Sequence, residues 1–192
     1  MALAGAVLAV AGVGLLQPTA DQLFAAHMMQ HLLLIALAAP LLALAGTKLP
    51  ISPMAGWALF VGVFLFWHWP AAFQWAAKRP LTELLELVSI CAAATLFWSG
   101  AFQPGRLSDG ARALMVMTAA IVTDLPGVVM LFAPRAICAM PDENAARFGL
   151  TALQDQQIAG LLMWVPANLM FFGIATFLFA RWIGVGERAA NP

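Results

Sequence analysis

The stretch "AAHMMQHLLLIALAAPLLALAG", residues 25–46, combines a run that is long and apolar enough for a membrane helix with two histidines near its beginning. The hydrocarbon core of a bilayer is roughly 30 Å thick, so a helix that crosses it needs about 20 predominantly apolar residues. Similar runs recur along the chain, and most of the connections between them are short and polar. The sequence therefore predicts a single integral membrane domain, residues 1–192.

The composition and the length of the apolar runs predict the fold class. Hydrophobic residues make up 63% of the chain and charged residues only 9%, unlike soluble globular domains. A membrane β-barrel would need segments of about ten residues with alternating polarity, whereas these runs are apolar on every face. The expected fold is therefore all-α, a polytopic membrane helical bundle of about six transmembrane helices. Hydropathy places them at about residues 2–16, 22–46, 54–77, 80–102, 111–133 and 154–182, and the first is expected to be short or truncated.

The charges and the cysteines narrow the possible partners of the chain. The formal net charge is zero and there is no basic block, so nothing supports nucleic-acid binding, and membrane lipid is the expected surrounding. Cys91 lies in an apolar run and Cys138 in a polar loop, so no disulfide is predicted. Lys and Arg residues, Lys48 among them, divide five against four between the two sides, which only slightly favours both termini in the cytoplasm.

Tryptophans are expected to anchor the helix ends at the membrane surface. The chain has seven Trp and no Tyr. Amphipathic rings of this kind are enriched where the bilayer meets water. We therefore expect an interfacial belt formed by Trp67, Trp69, Trp75, Trp98 and Trp182.

Two histidines and a methionine share one face at the start of the second helix. His27 and His31 are four residues apart, so their imidazoles project from the same side of a helix about one turn apart, and Met28 joins that face. Polar groups within a membrane are costly to insert and usually face a partner or a cavity. The pattern favours a ligand site, although two histidines that simply cap a helix end would give the same spacing.

The other polar residues of the membrane region are expected to lie on the same side. If six spans alternate, the start of helix 2, the end of helix 3, the end of helix 5 and the start of helix 6 all reach one leaflet. The residues at these positions are His68 in "FLFWHWPAAFQW", Asp124, and Asp155 with Met163 two turns further on. Each has an ordinary structural explanation as well, since Asp155 and Gln156 could cap helix 6, Asp124 could bond a neighbouring helix, and Met163 could be core. Their convergence nevertheless predicts a shallow site.

The donor types indicate which metal such a site would take. Imidazole with thioether and little carboxylate suits copper, particularly Cu(I), better than Mg²⁺ or Ca²⁺, and zinc is less clearly excluded. Cys138 and Met140, in the long loop on the same side, offer two more soft donors.

Three motifs resemble the multi-span CtaG family of cytochrome c oxidase assembly proteins. They are "HMMQHLLL" followed by Pro40, "WHWPAAF", and "DQQIAGLLMWVP", and the similarity covers about residues 22–182. The resemblance implies a polytopic factor of the bacterial cytoplasmic (inner) membrane that delivers or inserts copper into a haem–copper oxidase. Its implied partners are cytochrome c oxidase subunits or copper chaperones, and an oligomer is possible.

The resemblance also suggests site residues. The family's paired histidines match His27 and His31, and its W-H-x-P histidine matches His68. Its helix 6 motif matches Asp155, Gln156, Gly160, Met163 and Trp164. Relatives often carry histidine in the stretch written here as "LTELLELVSI", where this chain has Glu83 and Glu86. A site that needs that imidazole would be completed here by carboxylate.

The leading hypothesis is a non-enzymatic assembly factor that binds and delivers copper at the outer, periplasmic leaflet. The expected metal ligands are His27, His31, His68, Met28 and Met163. The expected cofactor-binding residues beside these ligands are Asp124, Asp155, Gln156 and Trp164, with the Asp155 carboxylate orienting an imidazole through its N–H.

Two alternative functions remain open at this point. A membrane haem b protein could use His27 or His31 with His68 as axial ligands. A proton-linked transporter could use Asp124 and Asp155. A hydrolase is not supported, because the serines near helix ends lie at the opposite membrane face from all three histidines.

Overall fold

Helices account for every regular element in the part of the chain that the structure describes. It is a computed structural model, and it describes residues 1–46, 51–103, 105–138 and 140–190. Lys48, which entered the count of charges for orientation, lies outside these residues. The helices are α1 (Ala2–Ala20), α2 (Phe24–Leu44), α3 (Pro53–Trp67), α4 (Pro70–Ala76), α5 (Pro80–Phe102), α6 (Asp109–Phe132), the short α7 (Asp142–Ala146) and α8 (Ala152–Ala190).

The number of membrane spans agrees with the all-α polytopic bundle expected from the sequence. By length and composition, five helices in the described residues could cross a bilayer, and the α3–α4 pair brings the number to six when it is counted as one broken span. The expectation of a short first helix was wrong, because α1 has 19 residues and continues past Pro18. Proline has a helical φ and near the end of a helix removes only one backbone hydrogen bond, so it does not stop α1.

The third span is not the continuous helix predicted over residues 54–77. Its two halves are bent by 78° at residues 68 and 69. Pro70 lacks an N–H and disfavours helical backbone at the residue before it. Trp69 accordingly has extended dihedral angles (φ −74°, ψ 131°), while His68 ends α3 with φ −85° and ψ 1°. The break therefore leaves His68 at an inside corner of the bundle, where it is buried.

A π-helical segment, Leu34–Ala38, lies in the middle of α2. The N–H of Ala39 bonds to the carbonyl of Leu34, and Pro40 has no N–H, so neither of these residues can donate to the carbonyl of Ile35. The indole N–H of Trp98 on α5 donates to that oxygen instead, at 2.9 Å. A buried carbonyl that proline leaves without a backbone donor is thus satisfied by a side chain from the neighbouring helix.

Two of the five tryptophans expected in an interfacial belt lie inside the bundle. Trp98 is fully buried, and Trp67 is buried with its indole N–H donating to the hydroxyl of Ser89. Their N–H groups have found partners within the protein, as those of buried tryptophans usually do. Trp69, Trp75 and Trp182 are exposed, and for these three a place in the interfacial belt stays a prediction.

The helices α6 and α8 pack with their backbones in close approach. A Cβ atom placed on Gly160 would lie 2.6 Å from the carbonyl oxygen of Gly127, and one placed on Gly127 would lie 3.1 Å from the carbonyl oxygen of Gly160. Helix pairs in membranes gain van der Waals contact through small residues of this kind. The contact fixes α8 against the bundle next to Met163, one turn further along the same helix.

Phenylalanines from three helices form the core beneath the histidines. The ring centroid of Phe97 on α5 lies 5.0 Å from that of Phe60 on α3 and 5.9 Å from that of Phe171 on α8, with the planes nearly parallel. Aromatic pairs in this arrangement contribute roughly 0.5–1.5 kcal/mol beyond the area that they bury. The cluster closes the bundle below the site.

We predict that Gly160→Ala destabilises the protein by about 1–3 kcal/mol, because the new methyl group would push α6 and α8 apart. The measurement is the midpoint of thermal unfolding of the purified protein in detergent. Gly173→Ala is the matched control, since no heavy atom lies within 4 Å of a Cβ at this position of the same helix. Equal losses of stability in both variants would contradict the packing described here.

Candidate metal site

Three imidazoles meet at one end of the bundle. His27 and His31 project from the first turns of α2, with their ring centroids 4.7 Å apart. The ring centroid of His68, at the end of α3, lies 5.3 Å from that of His31. All three side chains are buried. The helix spacing of two histidines and the corner created by Pro70 thus bring into contact the residues that the sequence singled out.

Glu86 joins the histidines from the second turn of α5. Its side chain is 0% exposed, with Oε2 3.4 Å from Nε2 of His27 and Oε1 3.4 Å from Nε2 of His31. Ligand atoms of these three residues all lie within 4.8 Å of one another, the one such group of His, Cys, Asp or Glu among the described residues. The sequence analysis named Glu86 only as a carboxylate that stands where relatives have an imidazole. It could have been predicted as a ligand, because it is a charged residue in an apolar helix, at the end of the helix that alternating spans bring to the histidines.

The facing atoms of this cluster lack hydrogen-bond partners. Within the described residues, Nε2 of His27, Nε2 of His31 and both carboxylate oxygens of Glu86 are buried without one. Buried polar atoms are nearly always paired, so four unpaired atoms in one place call for a physical reason. A cation bound between them would supply it.

The protons of the imidazoles can be assigned from their neighbours. Nδ1 of His68 lies 2.7 Å from the carbonyl oxygen of Phe64. A carbonyl only accepts, so Nδ1 carries the proton and Nε2 of His68 has a lone pair. Nδ1 of His31 lies 3.5 Å from Nε2 of His68. We place the proton of a neutral His31 on its Nδ1, from where it points at the lone pair of His68. The lone pair on Nε2 of His31 then faces the Glu86 carboxylate, which is a site for a cation.

A polar cavity of about 280 Å³ leads from the surface to His27. Asp21, Lys78 and Arg79 line its exposed part, and Glu83 lies between them and the histidine, with Oε1 3.8 Å from Nδ1 of His27. The same oxygen accepts a hydrogen bond from Nε2 of Gln17 on α1, at 2.7 Å. The cluster is therefore buried and yet reached from water through a polar passage.

A second, much smaller cavity of about 30 Å³ lies on the other side of His31. His31 and His68 line it together with Met28 and Met163, and hydrocarbon and aromatic side chains form most of the remaining wall. Both methionines are buried. The two methionines expected as soft ligands thus adjoin two of the three histidines.

Asp155 has a different partner from the imidazole expected for it. Its two carboxylate oxygens accept the backbone N–H groups of Phe24 and Ala25, at 2.8 and 2.9 Å. The residue before α2, Leu23, has no side chain that could cap the helix. The buried carboxylate of α8 therefore caps α2, where a negative charge is favourable. It acts on the site indirectly, by fixing the helix start that carries His27.

Gln156 ties the long loop to the end of the bundle. Its Oε1 accepts the N–H groups of Ile137 and Cys138, at 2.6 and 2.9 Å, and its Nε2 donates to the carbonyl of Met130 at 3.0 Å. Cys138 is fully buried, and burial raises the pKa of its thiol to about 11. Metals bind the thiolate, so Cys138 is a poor ligand in this conformation. Met140, by contrast, lines the polar cavity.

Asp124 and Trp164 lie outside the site, contrary to the expectation from the sequence. The carboxylate of Asp124 accepts a hydrogen bond from the amide of Asn168 at 2.9 Å, and Trp164 packs edge-on against Phe132. Neighbouring residues of a helix point about 100° apart. Thr123 and Met163 line the small cavity, so the residue that follows each of them is turned away from it.

Fold and site together define a class: a polytopic helical membrane protein with a buried histidine–carboxylate cluster reached from one surface. Residues 47–184, well over half of the chain, match the family described as cytochrome c oxidase caa3 assembly factor. The chain belongs to this family, in agreement with the resemblance seen in its motifs. The matched range contains His68, Glu86 and Met163 and begins after His27 and His31. No curated protein and no solved structure matches the chain.

We predict that Asp155→Asn destabilises the protein by about 1–3 kcal/mol, because the new NH₂ group would face one of the two backbone N–H groups and leave it unpaired. Thermal unfolding in detergent is the measurement. Asp142→Asn, at the exposed start of α7, is the matched control and should change stability by less than about 0.5 kcal/mol. If the two variants unfolded at the same temperature, the cap on α2 would not contribute as described.

Proposed function

We propose that this assembly factor binds copper at His27, His31 and Glu86 and hands it to a cytochrome c oxidase during assembly. The observation that carries the proposal is the set of four buried nitrogen and oxygen atoms without hydrogen-bond partners, which face one another across gaps of 3.4 Å. Copper is written here as cargo, and no catalytic step is proposed for the chain.

The distances in the cluster suit ligands of one ion. Imidazole nitrogens and carboxylate oxygens bind transition metals at about 2.0–2.2 Å. Two such atoms 3.4 Å apart would subtend an angle of about 110° at a common ion, close to tetrahedral. Moving an isolated carboxylate into a low-dielectric interior is very unfavourable unless a positive charge compensates it. A bound cation would compensate Glu86 and use both lone pairs of the histidines.

The donor set and the family together support copper as that cation. Imidazole binds copper and zinc well, and the thioethers of Met28 and Met163 beside His31 and His68 would favour copper. The family is described by its role in assembling a cytochrome c oxidase. The CtaG resemblance implies a copper-delivering role, which a site with both hard and soft donors would serve.

The passage to His27 supports loading and release from water. Two carboxylates, Asp21 and Glu83, and two cationic side chains, Lys78 and Arg79, line it, and of these Glu83 is the one in contact with His27. Met140 on the long loop lines the same passage and offers a soft donor at its mouth. We place this end at the periplasmic side of a bacterial cytoplasmic membrane, with both termini in the cytoplasm, as the alternation of six spans allows.

The geometry gives less support to the two alternative functions. Ligand pockets for molecules of drug or cofactor size are roughly 300–1,000 Å³, whereas the cavity beside His31 and His68 is about 30 Å³, too small for haem between them. The carboxylates of a proton-linked transporter, Asp124 and Asp155, are hydrogen-bonded to an amide and to a helix start respectively. Both carboxylates are therefore already engaged in structural contacts within the bundle.

We predict that His27→Ala, His31→Ala and Glu86→Gln each lower the affinity for Cu(II), the copper ion that two imidazoles and a carboxylate suit, at least about tenfold. The measurement is a competition titration of the purified protein with Cu(II) in the absence of reductant. Added Cu(II) should raise the thermal midpoint of the wild type and raise that of Glu86→Gln much less, because a ligand stabilises only the state that binds it.

Glu143→Gln, an exposed carboxylate on α7, is the matched control and should bind copper like the wild type. Glu86→Gln keeps the shape of the side chain and relieves a buried charge, so the metal-free variant should fold at least as stably as the wild type. Unchanged Cu(II) affinity in Glu86→Gln and in either histidine variant would refute the proposed site.

A further inference from the structure

His31 presents its two ring nitrogens to two different environments. Nε2 faces the carboxylate of Glu86 at 3.4 Å, next to Nε2 of His27. Nδ1 faces Nε2 of His68 at 3.5 Å, on the side of the small cavity. We call the first environment the outer position, made by His27, His31 and Glu86. The second, the inner position, is made by His31, His68, Met28 and Met163.

The inner position has the size and the chemistry of a site for a single soft ion. Its cavity of about 30 Å³ holds about two or three waters, since a water needs about 10–15 Å³. The hydroxyl of Thr123, the one further polar side chain in the wall, donates to backbone carbonyls of its own helix. Two imidazole nitrogens and two thioether sulfurs are therefore the donors left in an otherwise apolar wall.

We propose that the inner position is a second binding site, for Cu(I), that alternates with the outer position through the shared His31. The proposal rests on the proposed function, which assigns copper to the outer position. Thioether and imidazole donors select Cu(I), whereas two imidazoles with a carboxylate suit Cu(II) and Zn²⁺. The 3.5 Å between the nitrogens of His31 and His68 is again the separation of two ligands about 2.1 Å from one ion.

The valence of imidazole makes the two positions mutually exclusive. A neutral ring has one lone pair and one N–H. With the outer position filled, Nε2 of His31 binds the ion and Nδ1–H donates to His68. With the inner position filled, Nδ1 binds the ion and Nε2–H donates to Glu86. The two states loaded with Cu(I) contain the same protons and the same charge, so a Cu(I) ion changes position with no oxidant or reductant. The proton that one ring nitrogen of His31 gives up is matched by one that the other nitrogen takes up from water.

The test compares two probe ions on the full-length protein in detergent. Cu(I) is supplied without oxygen under ascorbate, Zn²⁺ serves as the probe of the outer position, and X-ray absorption and competition titrations report the ligands and the affinities. We expect sulfur neighbours around Cu(I), nitrogen and oxygen neighbours alone around Zn²⁺, and one ion per chain with either metal.

Variants separate the two positions. Met28→Leu with Met163→Leu should remove the sulfur signal and weaken Cu(I) at least tenfold, with Zn²⁺ affinity changed less than twofold. Glu86→Gln should weaken Zn²⁺ at least tenfold and Cu(I) far less, because an amide oxygen can still accept Nε2–H of His31. The matched control is Met115→Leu with Met130→Leu, two buried methionines of α6 that do not line the cavity.

The outcomes distinguish this inference from the proposed function. A Cu(I) spectrum of the wild type without sulfur would overturn the inner position while leaving the outer one intact, and two copper ions bound together would overturn the alternation through His31. Absence of both Cu(I) and Zn²⁺ binding by the wild type would overturn the proposed function and the inner position with it. The wild-type spectrum decides the first point even if the double methionine variant fails to fold, and each single Leu variant should then show a smaller loss of Cu(I) affinity.

Discussion

A carboxylate buried in hydrocarbon needs a compensating positive charge, and the arrangement around Glu86 is organised by that requirement. Two imidazoles face it from α2, and no Lys or Arg pairs with it among the described residues. Replacing a buried ionic group by apolar residues often raises stability. A carboxylate at this position is thus poorly explained by folding alone, whereas a site that binds and releases a cation requires one. The assembly-factor family and the copper proposal are consistent with this constraint.

Proline supplies much of the geometry by removing backbone donors from otherwise regular spans. Pro70 breaks the third span so that His68 turns inward, and Pro40 leaves a carbonyl on α2 that binds the indole of Trp98. The start of α2 is then fixed by the carboxylate of Asp155 from α8. These three features hold the histidine-bearing backbone in place. Contacts of the rings themselves add to this, since His68 stacks on Phe64 and His27 packs against Phe73.

Hydropathy was sufficient to predict the fold class, the number of spans and the bounds of α5, because each depends on the length of an apolar run. The bend before Pro70 was not predicted. Hydropathy measures only how apolar a run is, and it does not show that the proline within the run lacks an N–H for the helix. The cap that Asp155 provides was also missed, because its partner is the start of another helix and sequence spacing does not show which helix ends adjoin. The alternation of the spans correctly indicated which helix ends would meet. Which side chains face the site depends in addition on the 100° rotation between successive residues of a helix, and for this reason Met163 faces the site and Trp164 does not.

The π segment of α2 has a consequence for how this helix tolerates change. Each turn of π-helix holds about one residue more than an α-turn, which shifts the phase of everything after it by roughly 100° relative to an unbroken α-helix. The rotation of the histidine half of α2 about the helix axis is therefore independent of that of the apolar half. Trp98 hydrogen-bonds to the π segment between the two halves. Loss of a single residue from Leu34–Ala38 would restore the regular winding and, with the histidines held in place, rotate Ala39 and Ala43 away from the core and toward lipid.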